Sequence, residues 1–206
     1  HPVTRFGTPV IKTAPSKFGR GCMYFDGLGD YLTMPDSEAW NFGSGDFTIE
    51  CWFNAIQFNH YVAGLKYPNL FGQRVNFNNN EAFYCYVSAN AYPTLSTVFT
   101  YRKVSPSVTV GPGFNYNYPE NVWHHLAWCR STTTLRGYVN GVVQETYNCG
   151  TDSINDSSTA FYIGALPGSI WETYWKGYIE DLRITRGIAR YGASSFAVPT
   201  APYPNP

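Results

Sequence analysis

The most constraining feature of this sequence is how often it turns. Short runs rich in Val, Ile, Thr, Tyr, Phe and Trp are separated by glycine or proline, and the 206 residues hold 19 glycines and 14 prolines. Helical periodicity is absent, apart from a short turn predicted at residues 37–40. Many short strands with frequent turns are typical of a β-sandwich or a β-barrel, so the sequence predicts an all-β fold.

The clearest strand pattern lies at residues 47–53. Apolar residues occupy every second position there, which places Thr48, Glu50 and Trp52 on the opposite face. The pair Asn140-Gly141 predicts a tight type I′ hairpin turn, because these residues readily adopt a positive φ. The other predicted strands are residues 22–25, 31–34, 82–88, 96–102, 123–130, 135–139, 142–146, 161–163 and 177–185.

Composition and charge exclude several functions. Charged residues make up 14% of the chain, and 14 Lys and Arg balance 14 Asp and Glu. A neutral chain lacks the basic surface that nucleic acids or anionic membranes require. No apolar run reaches the ~18 residues that span a bilayer. We therefore expect neither nucleic-acid partners nor membrane insertion. The 17 tyrosines supply amphipathic contact area suited to interfaces.

Five blocks combine glycine, acidic and aromatic residues in a distinctive order: YFDGLGDYL at 24–32, FGSGDFTIECW at 42–52, WHHLA at 123–127, GYVNG at 137–141 and GYIEDLRITRGIARY at 177–191. Together they resemble the laminin G-like/concanavalin A-like jelly-roll family. They are most similar to the branch common in phage tail, virion and bacterial surface proteins.

This resemblance implies a sandwich of two antiparallel β-sheets, a jelly roll, which agrees with the strand pattern. We expect one such domain over residues 1–191, including an N-terminal strand region at 1–20. Residues 192–206 are rich in proline and predict an extended C-terminal extension or linker. Charge and motif further suggest that Arg183 pairs with Glu50.

The cysteines leave two interpretations open. They are either buried small apolar residues, or partners in one or two disulfides of an extracellular chain with one thiol left over. Their spacing matches no zinc or redox motif. The sequon that begins at Asn155 predicts N-glycosylation if the chain is secreted. Because the chain begins with His1, we expect a processed chain or a piece of a longer one.

No catalytic pattern is recognisable in the sequence. The E-x-D-x-x-E strand motif of related β-glucanases, which pairs two carboxylates for glycoside hydrolysis, is absent. Glu180 and Asp181 are adjacent, as are His124 and His125, and adjacent residues on a strand point to opposite faces. The sequence therefore predicts that the protein is not an enzyme.

Calcium is the one cofactor that the resemblance suggests. Several members of the superfamily bind this ion through carboxylate and carbonyl oxygens. Asp30, after the first glycine-rich turn, and Glu180 or Asp181 on the closing strand are the candidate ligands. Many relatives have Asp where this chain has Glu180. The alternative interpretation is that these carboxylates cap the backbone or face solvent.

Two functions then remain. The first is a non-catalytic structural or adhesive building block of an extracellular or virion-associated assembly, such as a filament, tail or surface protein, which self-associates or binds other subunits. The alternative is a carbohydrate-binding module whose partners are glycans. A glycan-active hydrolase is disfavoured by the missing carboxylate pair. Both the building-block function and the carbohydrate-binding function predict a protein outside the cytoplasm, at a cell surface or in a virion.

A carbohydrate-binding module requires exposed aromatic rings that stack on sugars and amides that bind hydroxyl groups. The candidate ligand-binding residues are Tyr116, Tyr118, Trp171 and Trp175, and further loop candidates are Tyr61, Tyr67, Tyr92 and residues 76–80.

Overall fold

The computed structural model describes residues 1–58, 67–74, 80–88, 94–105, 107–166 and 173–204. Within them two antiparallel β-sheets pack face to face, which confirms the predicted all-β sandwich. The elements are β1 (Thr4–Phe6), β2 (Val10–Lys12), β3 (Cys22–Asp26), β4 (Tyr31–Met34), a 3-10 helix (Glu38–Trp40), β5 (Phe47–Ala55), β6 (Asn69–Gln73), β7 (Phe83–Ser88), β8 (Leu95–Arg102), β9 (Thr109–Val110), β10 (Gly113–Tyr116), β11 (Trp123–Ser131), β12 (Thr134–Val139), β13 (Val142–Asn148), β14 (Phe161–Ile163) and β15 (Lys176–Arg186).

The two sheets have different strand orders. The front sheet runs β1-β4-β14-β6-β7-β8-β10, with β9 paired to β8. The back sheet runs β13-β12-β11-β5-β15-β3-β2. Because strands that are distant in the chain lie side by side, residues far apart in the sequence meet on one face of a sheet.

An aromatic core fills the space between the sheets. Phe99 of the front sheet contacts Trp128 of the back sheet, with ring centroids 5.5 Å apart. Burying a large apolar side chain stabilises the fold by about 1.5–3 kcal/mol. The predicted inward face of β5 is confirmed, since its apolar members are all 0% exposed: Phe47, Ile49, Cys51 and Phe53.

Two predicted turns are also confirmed. Asn140 and Gly141 adopt φ values of 50° and 79° and join β12 to β13. A β-carbon on Gly141 would lie 2.0 Å from the carbonyl oxygen of Phe196, so the turn also allows the C-terminal chain to pass directly over it. The 3-10 helix begins after Ser37, whose side chain accepts a hydrogen bond from the Ala39 amide.

The cysteines match the first of the two interpretations. All five are buried and free: Cys22, Cys51, Cys85, Cys129 and Cys149. Burial, with the nearby Glu180 carboxylate, raises the pKa of the Cys22 thiol to about 11. These thiols therefore pack as small apolar groups. In the part of the chain that the structure describes, no helix is long and apolar enough to cross a membrane.

The C-terminal segment, residues 188–204, lies across the outer face of the back sheet. Phe196 stacks on Tyr191 at 3.5 Å between ring centroids, and its amide donates to the Gly141 carbonyl at 2.9 Å. Further along, the Tyr203 amide donates to Asp181 at 3.0 Å. The proline-rich end thus packs against its own domain.

Candidate functional site: a tyrosine-lined trough

The front sheet carries tyrosines on its outer face. Along β7 the buried residues alternate with half-buried ones, so Tyr84 and Tyr86 point away from the core. Their rings stack on each other with centroids 5.9 Å apart. Tyr67, which precedes β6, contacts Tyr86 edge to face at 5.1 Å. These three rings form one wall of the site.

The opposite wall comes from β4, β14 and the chain that leads into β15. Tyr31 of β4 contacts Tyr162 of β14 at 6.0 Å and Tyr174 at 6.5 Å. Phe6 of β1 lies directly opposite Tyr31 and stacks on it at 4.6 Å. Like the first wall, these tyrosines are half-buried rather than buried, so part of each ring faces solvent.

Between the two walls runs β6, where Gly72 lies opposite both Tyr84 and Tyr162. A β-carbon at Gly72 would lie 2.5 Å from the Tyr84 β-carbon, so this close approach requires glycine. Since β14 and β7 both adjoin β6, the walls stand about 10 Å apart. We call this feature the tyrosine trough, with walls formed by Tyr31, Tyr67, Tyr84, Tyr86, Tyr162 and Tyr174.

A charged cluster borders one end of the trough. The guanidinium of Arg74 lies 4.4 Å from the Tyr84 ring centroid and 3.3 Å from the carboxylate of Glu81. Arg102 approaches the same carboxylate at 3.5 Å, and the Thr109 hydroxyl donates to it at 2.5 Å. Glu81 is 4% exposed. This carboxylate is therefore held by its neighbours rather than presented to a ligand.

Burial raises the pKa of two tyrosines on opposite walls of the trough, Tyr86 and Tyr162. It raises the pKa of Tyr86 to about 12, and the neighbouring Tyr84 and Tyr67 add to the shift. Burial likewise raises the pKa of Tyr162, with a contribution from Tyr31. Near neutral pH these phenols can both donate and accept hydrogen bonds. The trough thus combines apolar ring faces with uncharged polar groups.

The sequence placed the binding aromatics elsewhere. Tyr118 and Trp175 are each 1% exposed and lie in the core, so neither ring presents the exposed face that stacking on a sugar requires. Tyr116 is half-buried and packs against Tyr118 at 4.6 Å, on the inner side of the front sheet. Of the loop candidates, Tyr67 lines the trough. Trp171, Tyr61, Tyr92 and residues 76–79 lie outside the described residues.

Each carboxylate predicted to bind calcium has a structural partner. Asp30 is 1% exposed and accepts hydrogen bonds from the amides of Thr8 at 2.6 Å and Asp26 at 3.0 Å. Glu180 is 6% exposed and accepts from the Lys17 amide at 2.7 Å. Both carboxylates cap the backbone, which is the alternative interpretation given above.

Asp181 lies where β15 is irregular. A register shift separates Glu180 from Arg183, and Asp181 has a φ of 52°. The premise that Glu180 and Asp181 alternate regularly along a strand is therefore wrong. Their carboxylates still have separate partners, because Asp181 accepts from the Tyr203 amide. Among the described residues no three His, Cys, Asp or Glu side chains are grouped to hold a metal ion.

Asn155 is a structural residue in this fold. Its side-chain amide donates to the Glu81 carbonyl at 3.0 Å, and the sequon's Ser157 is 0% exposed. N-glycosylation of Asn155 remains a prediction.

The predicted pair of Arg183 with Glu50 is confirmed. The Arg183 Nε donates to the Glu50 carboxylate at 2.8 Å. His125 lies 3.1 Å from the same carboxylate, whereas His124 faces the core and contacts Phe53 at 5.6 Å. The two histidines thus point to opposite faces, as the sequence indicates. This polar cluster lies beneath the C-terminal segment and holds that segment in place.

A cleft of about 640 Å³ lies beside this cluster, along the part of β15 that β3 does not cover. Its polar lining includes Asp181, Arg183 and Tyr203. These groups are engaged with one another or with Glu50.

The family model Laminin_G_3, described as the concanavalin A-like lectin/glucanases superfamily, matches residues 25–188. The chain belongs to this family, as the sequence motifs predicted. The superfamily contains both sugar-binding lectins and glucanases, so membership alone does not separate binding from catalysis. No curated protein matches the sequence.

Solved structures with the same fold come from different proteins. Domain 4 of the extracellular arabinanase AbnA from Geobacillus stearothermophilus, in complex with arabinotriose, is 17% identical with a TM-score of 0.58, over 90% of this chain and 82% of that one. The botulinum neurotoxin serotype G binding domain is 15% identical with a TM-score of 0.64, over 91% and 44%. The enzymatically active domain of bacteriophage CBA120 tailspike protein 2 is 11% identical with a TM-score of 0.61, over 88% and 28%.

The chain therefore spans less than half of the toxin domain and of the tailspike domain. At these identities the similarity shows the fold alone. The fold is one that occurs in binding domains and in enzymes.

Proposed function

We propose that this chain is a non-catalytic glycan-binding module and that the tyrosine trough is its binding site. One observation carries the proposal: six half-buried tyrosines from segments distant in the sequence converge on one trough about 10 Å wide. Ligand sites are typically concave and aromatic, with a few polar groups that fix orientation.

The chemistry of the walls suits a sugar. One face of a sugar ring presents C–H groups and is apolar, so it packs on an aromatic ring, while its hydroxyls need hydrogen-bond partners. Tyrosine supplies both an apolar ring and a neutral hydroxyl. The walls bring such rings to both sides of the trough, as at Tyr84 and Tyr162, so a sugar can contact aromatic faces on either side.

The charges around the trough argue against hydrolysis. Glycoside hydrolases use two carboxyl groups about 5–9.5 Å apart that flank the scissile bond. The carboxylate that borders this trough, Glu81, is buried and held by Arg74 and Arg102. A carboxylate fixed in this way is poorly suited to transfer protons or attack a sugar.

The arabinanase domain of the same fold, solved with arabinotriose, supports a carbohydrate as the class of ligand. That structure does not identify which sugar this chain binds, because the two chains share only the fold.

A glycan array with the full chain tests the proposal. We expect the wild-type protein to bind a subset of the glycans and the double variant Tyr84→Ala/Tyr162→Ala to lose that binding. Tyr147→Ala, a half-buried tyrosine on β13 of the back sheet, is the matched control and should bind like the wild type. Binding that survives in the double variant would overturn the proposed site.

A role as a building block of an extracellular or virion-associated assembly is the second candidate. One observation favours it: the N-terminal region exposes apolar side chains, with Val3 55%, Phe6 42% and Ile11 72% exposed. Apolar surface of this kind can mark an interface between subunits. If so, light scattering should show an oligomer that Ile11→Glu dissociates. A wild-type monomer at all concentrations would remove this candidate.

A further inference from the structure

The floor of the tyrosine trough is formed by β6, and the residue that forms the floor differs from one position to the next. At one position the floor is Gly72, which has no side chain. A register shift in the pairing of β6 with β7 then brings Asn69 opposite Tyr86. Residues directly opposite each other in an antiparallel pair share a face. Asn69 therefore points to the trough side, beneath the Tyr86 wall, while Leu70 and Phe71 fill the core.

The amide of Asn69 is only half satisfied. The side chain is 2% exposed, and its Nδ2 donates to the Tyr67 carbonyl at 2.8 Å. This bond fixes the orientation of the amide. Among the residues that the structure describes, no group donates a hydrogen bond to the Oδ1 atom. An unpaired buried acceptor is unfavourable, so a group that donates a hydrogen bond to it would be bound favourably.

Each wall of the trough carries tyrosines at two successive positions along β6. Tyr84 and Tyr86 are two residues apart on β7, which separates them by about 7 Å along the strand. On the facing wall Tyr162 lies opposite the first position. Tyr174, which leads into β15, lies near the second, since the carbonyl of the adjacent Thr173 accepts a hydrogen bond from the backbone N–H of Asn69 at 2.8 Å. The trough thus offers two successive positions, one floored by Gly72 and one by Asn69.

We propose that the trough binds a glycan lengthwise along β6, over at least two sugar units, and that Asn69 Oδ1 selects a sugar hydroxyl at the second position. The proposal rests on the proposed function and names the ligand class and the specificity-determining residue. Because Asn69 is 2% exposed in the free protein, the side chains that cover it have to shift when the hydroxyl binds.

Two calorimetric measurements test this proposal. The first titrates the wild-type protein with mono-, di- and trisaccharides of arabinose, glucose and N-acetylglucosamine. In the series that binds, we expect the disaccharide to bind at least about tenfold more tightly than the monosaccharide. A monosaccharide that binds as tightly as the longer ligands would overturn the two-position trough.

The second measurement compares Asn69→Leu with Asn54→Leu. Asn54 is the matched control, because it lies on the back sheet, is also 2% exposed and has an Oδ1 with no partner within the described part of the chain. We expect Asn69→Leu to weaken disaccharide binding about tenfold and Asn54→Leu to change it less than twofold. Thermal unfolding of both variants establishes that they fold.

The outcomes separate the two proposals. If Tyr84→Ala/Tyr162→Ala abolishes disaccharide binding but Asn69→Leu binds like the wild type, the role of Asn69 is overturned and the proposed function stands. If none of the three series binds and the glycan array is also blank, the proposed function itself is overturned.

Discussion

The carboxylate of Glu50, on the outer face of β5, accepts a hydrogen bond from the hydroxyl of Tyr191 at 2.5 Å. This bond joins the centre of the back sheet to the start of the C-terminal segment. The same carboxylate accepts from Arg183 and lies beside His125, and the Tyr203 hydroxyl lies 3.3 Å from the His125 ring nitrogen. A single buried acid therefore holds both ends of the segment.

Glu50→Gln tests this role. The variant leaves Arg183 without its counter-charge in a cluster where Glu50 is 0% exposed. Breaking a fully buried ion pair costs about 3–5 kcal/mol. The Arg183 side chain is 23% exposed, so solvent screens part of that loss. We expect urea unfolding to show a loss of about 2 kcal/mol.

Glu38→Gln is the matched control, because Glu38 is 76% exposed where it meets Arg186. We expect its stability to change by less than about 0.5 kcal/mol. A Glu50→Gln protein as stable as this control would show that the C-terminal segment does not depend on the carboxylate.

The same cluster predicts a pH dependence. Burial alone would raise the pKa of Glu50, but hydrogen bonds from His125, Tyr191 and Arg183 outweigh it and lower the pKa from 4.5 to about 2. Because the pKa of Glu50 is lower in the folded protein, the unfolded chain takes up the proton at a higher pH than the folded protein does. The contribution of Glu50 to stability is therefore complete above about pH 4.5 and is lost as the pH falls towards 2.

Melting temperatures between pH 2 and pH 6 measure this contribution. We expect the wild-type curve to fall below pH 4.5 and the Glu50→Gln curve to fall less steeply. Parallel curves for the two proteins would contradict the lowered pKa.

Tyrosine titration reports on the trough. Burial, with the nearby Tyr84 and Tyr67, raises the pKa of Tyr86 from 10.0 to about 12. The unfolded chain therefore ionises first, and this tyrosine's contribution to stability is lost as the pH rises from 10 towards 12. In an absorbance titration at alkaline pH we expect Tyr86→Phe to remove a late-titrating group. If Tyr86→Phe instead removes a group that titrates near pH 10, then Tyr86 is fully solvated in the wild-type protein.

Gly72→Ala tests the floor of the trough. The added β-carbon would lie 2.5 Å from the Tyr84 β-carbon and 2.8 Å from its α-carbon, so β6 and β7 would have to separate. Overpacking of this kind costs about 1–3 kcal/mol. We expect a lower free energy of unfolding, measured in urea. Gly192→Ala is the control, because nothing lies within 4 Å of the β-carbon it would add. Equal stability of the two variants would contradict the close approach.

Much of the fold could be predicted because its main signals are local. The alternation in β5 and the Asn140-Gly141 turn depend on a few adjacent residues, and both are confirmed. The sequence pattern misses β6, β9 and β10, and it places β1 and β2 only within a strand region at residues 1–20 without their bounds. β2 is exposed along its whole length and shows no buried face, while β6 is buried along its whole length and contains Gly72. Neither strand shows the alternation that marks a half-buried strand.

The site was harder to predict because it depends on strand order. Tyr84, Tyr86 and Tyr162 all lie in predicted strands, but nothing local shows that β14, β6 and β7 are neighbours. Two tyrosines at alternate positions of an otherwise apolar strand were an available signal. The sequence around Tyr118 and Trp175 is typical of loops, yet the packing of the two sheets buries both side chains.

The most direct test of the tyrosine trough is NMR of the full chain with isotope-labelled tyrosine rings, titrated with the glycan that binds most tightly on the array. We expect the largest and saturable shifts at the rings of Tyr31, Tyr84, Tyr86 and Tyr162, assigned by single Tyr→Phe variants. Shifts confined to tyrosines outside the trough, such as Tyr24, Tyr147 and Tyr178, would contradict the central claim.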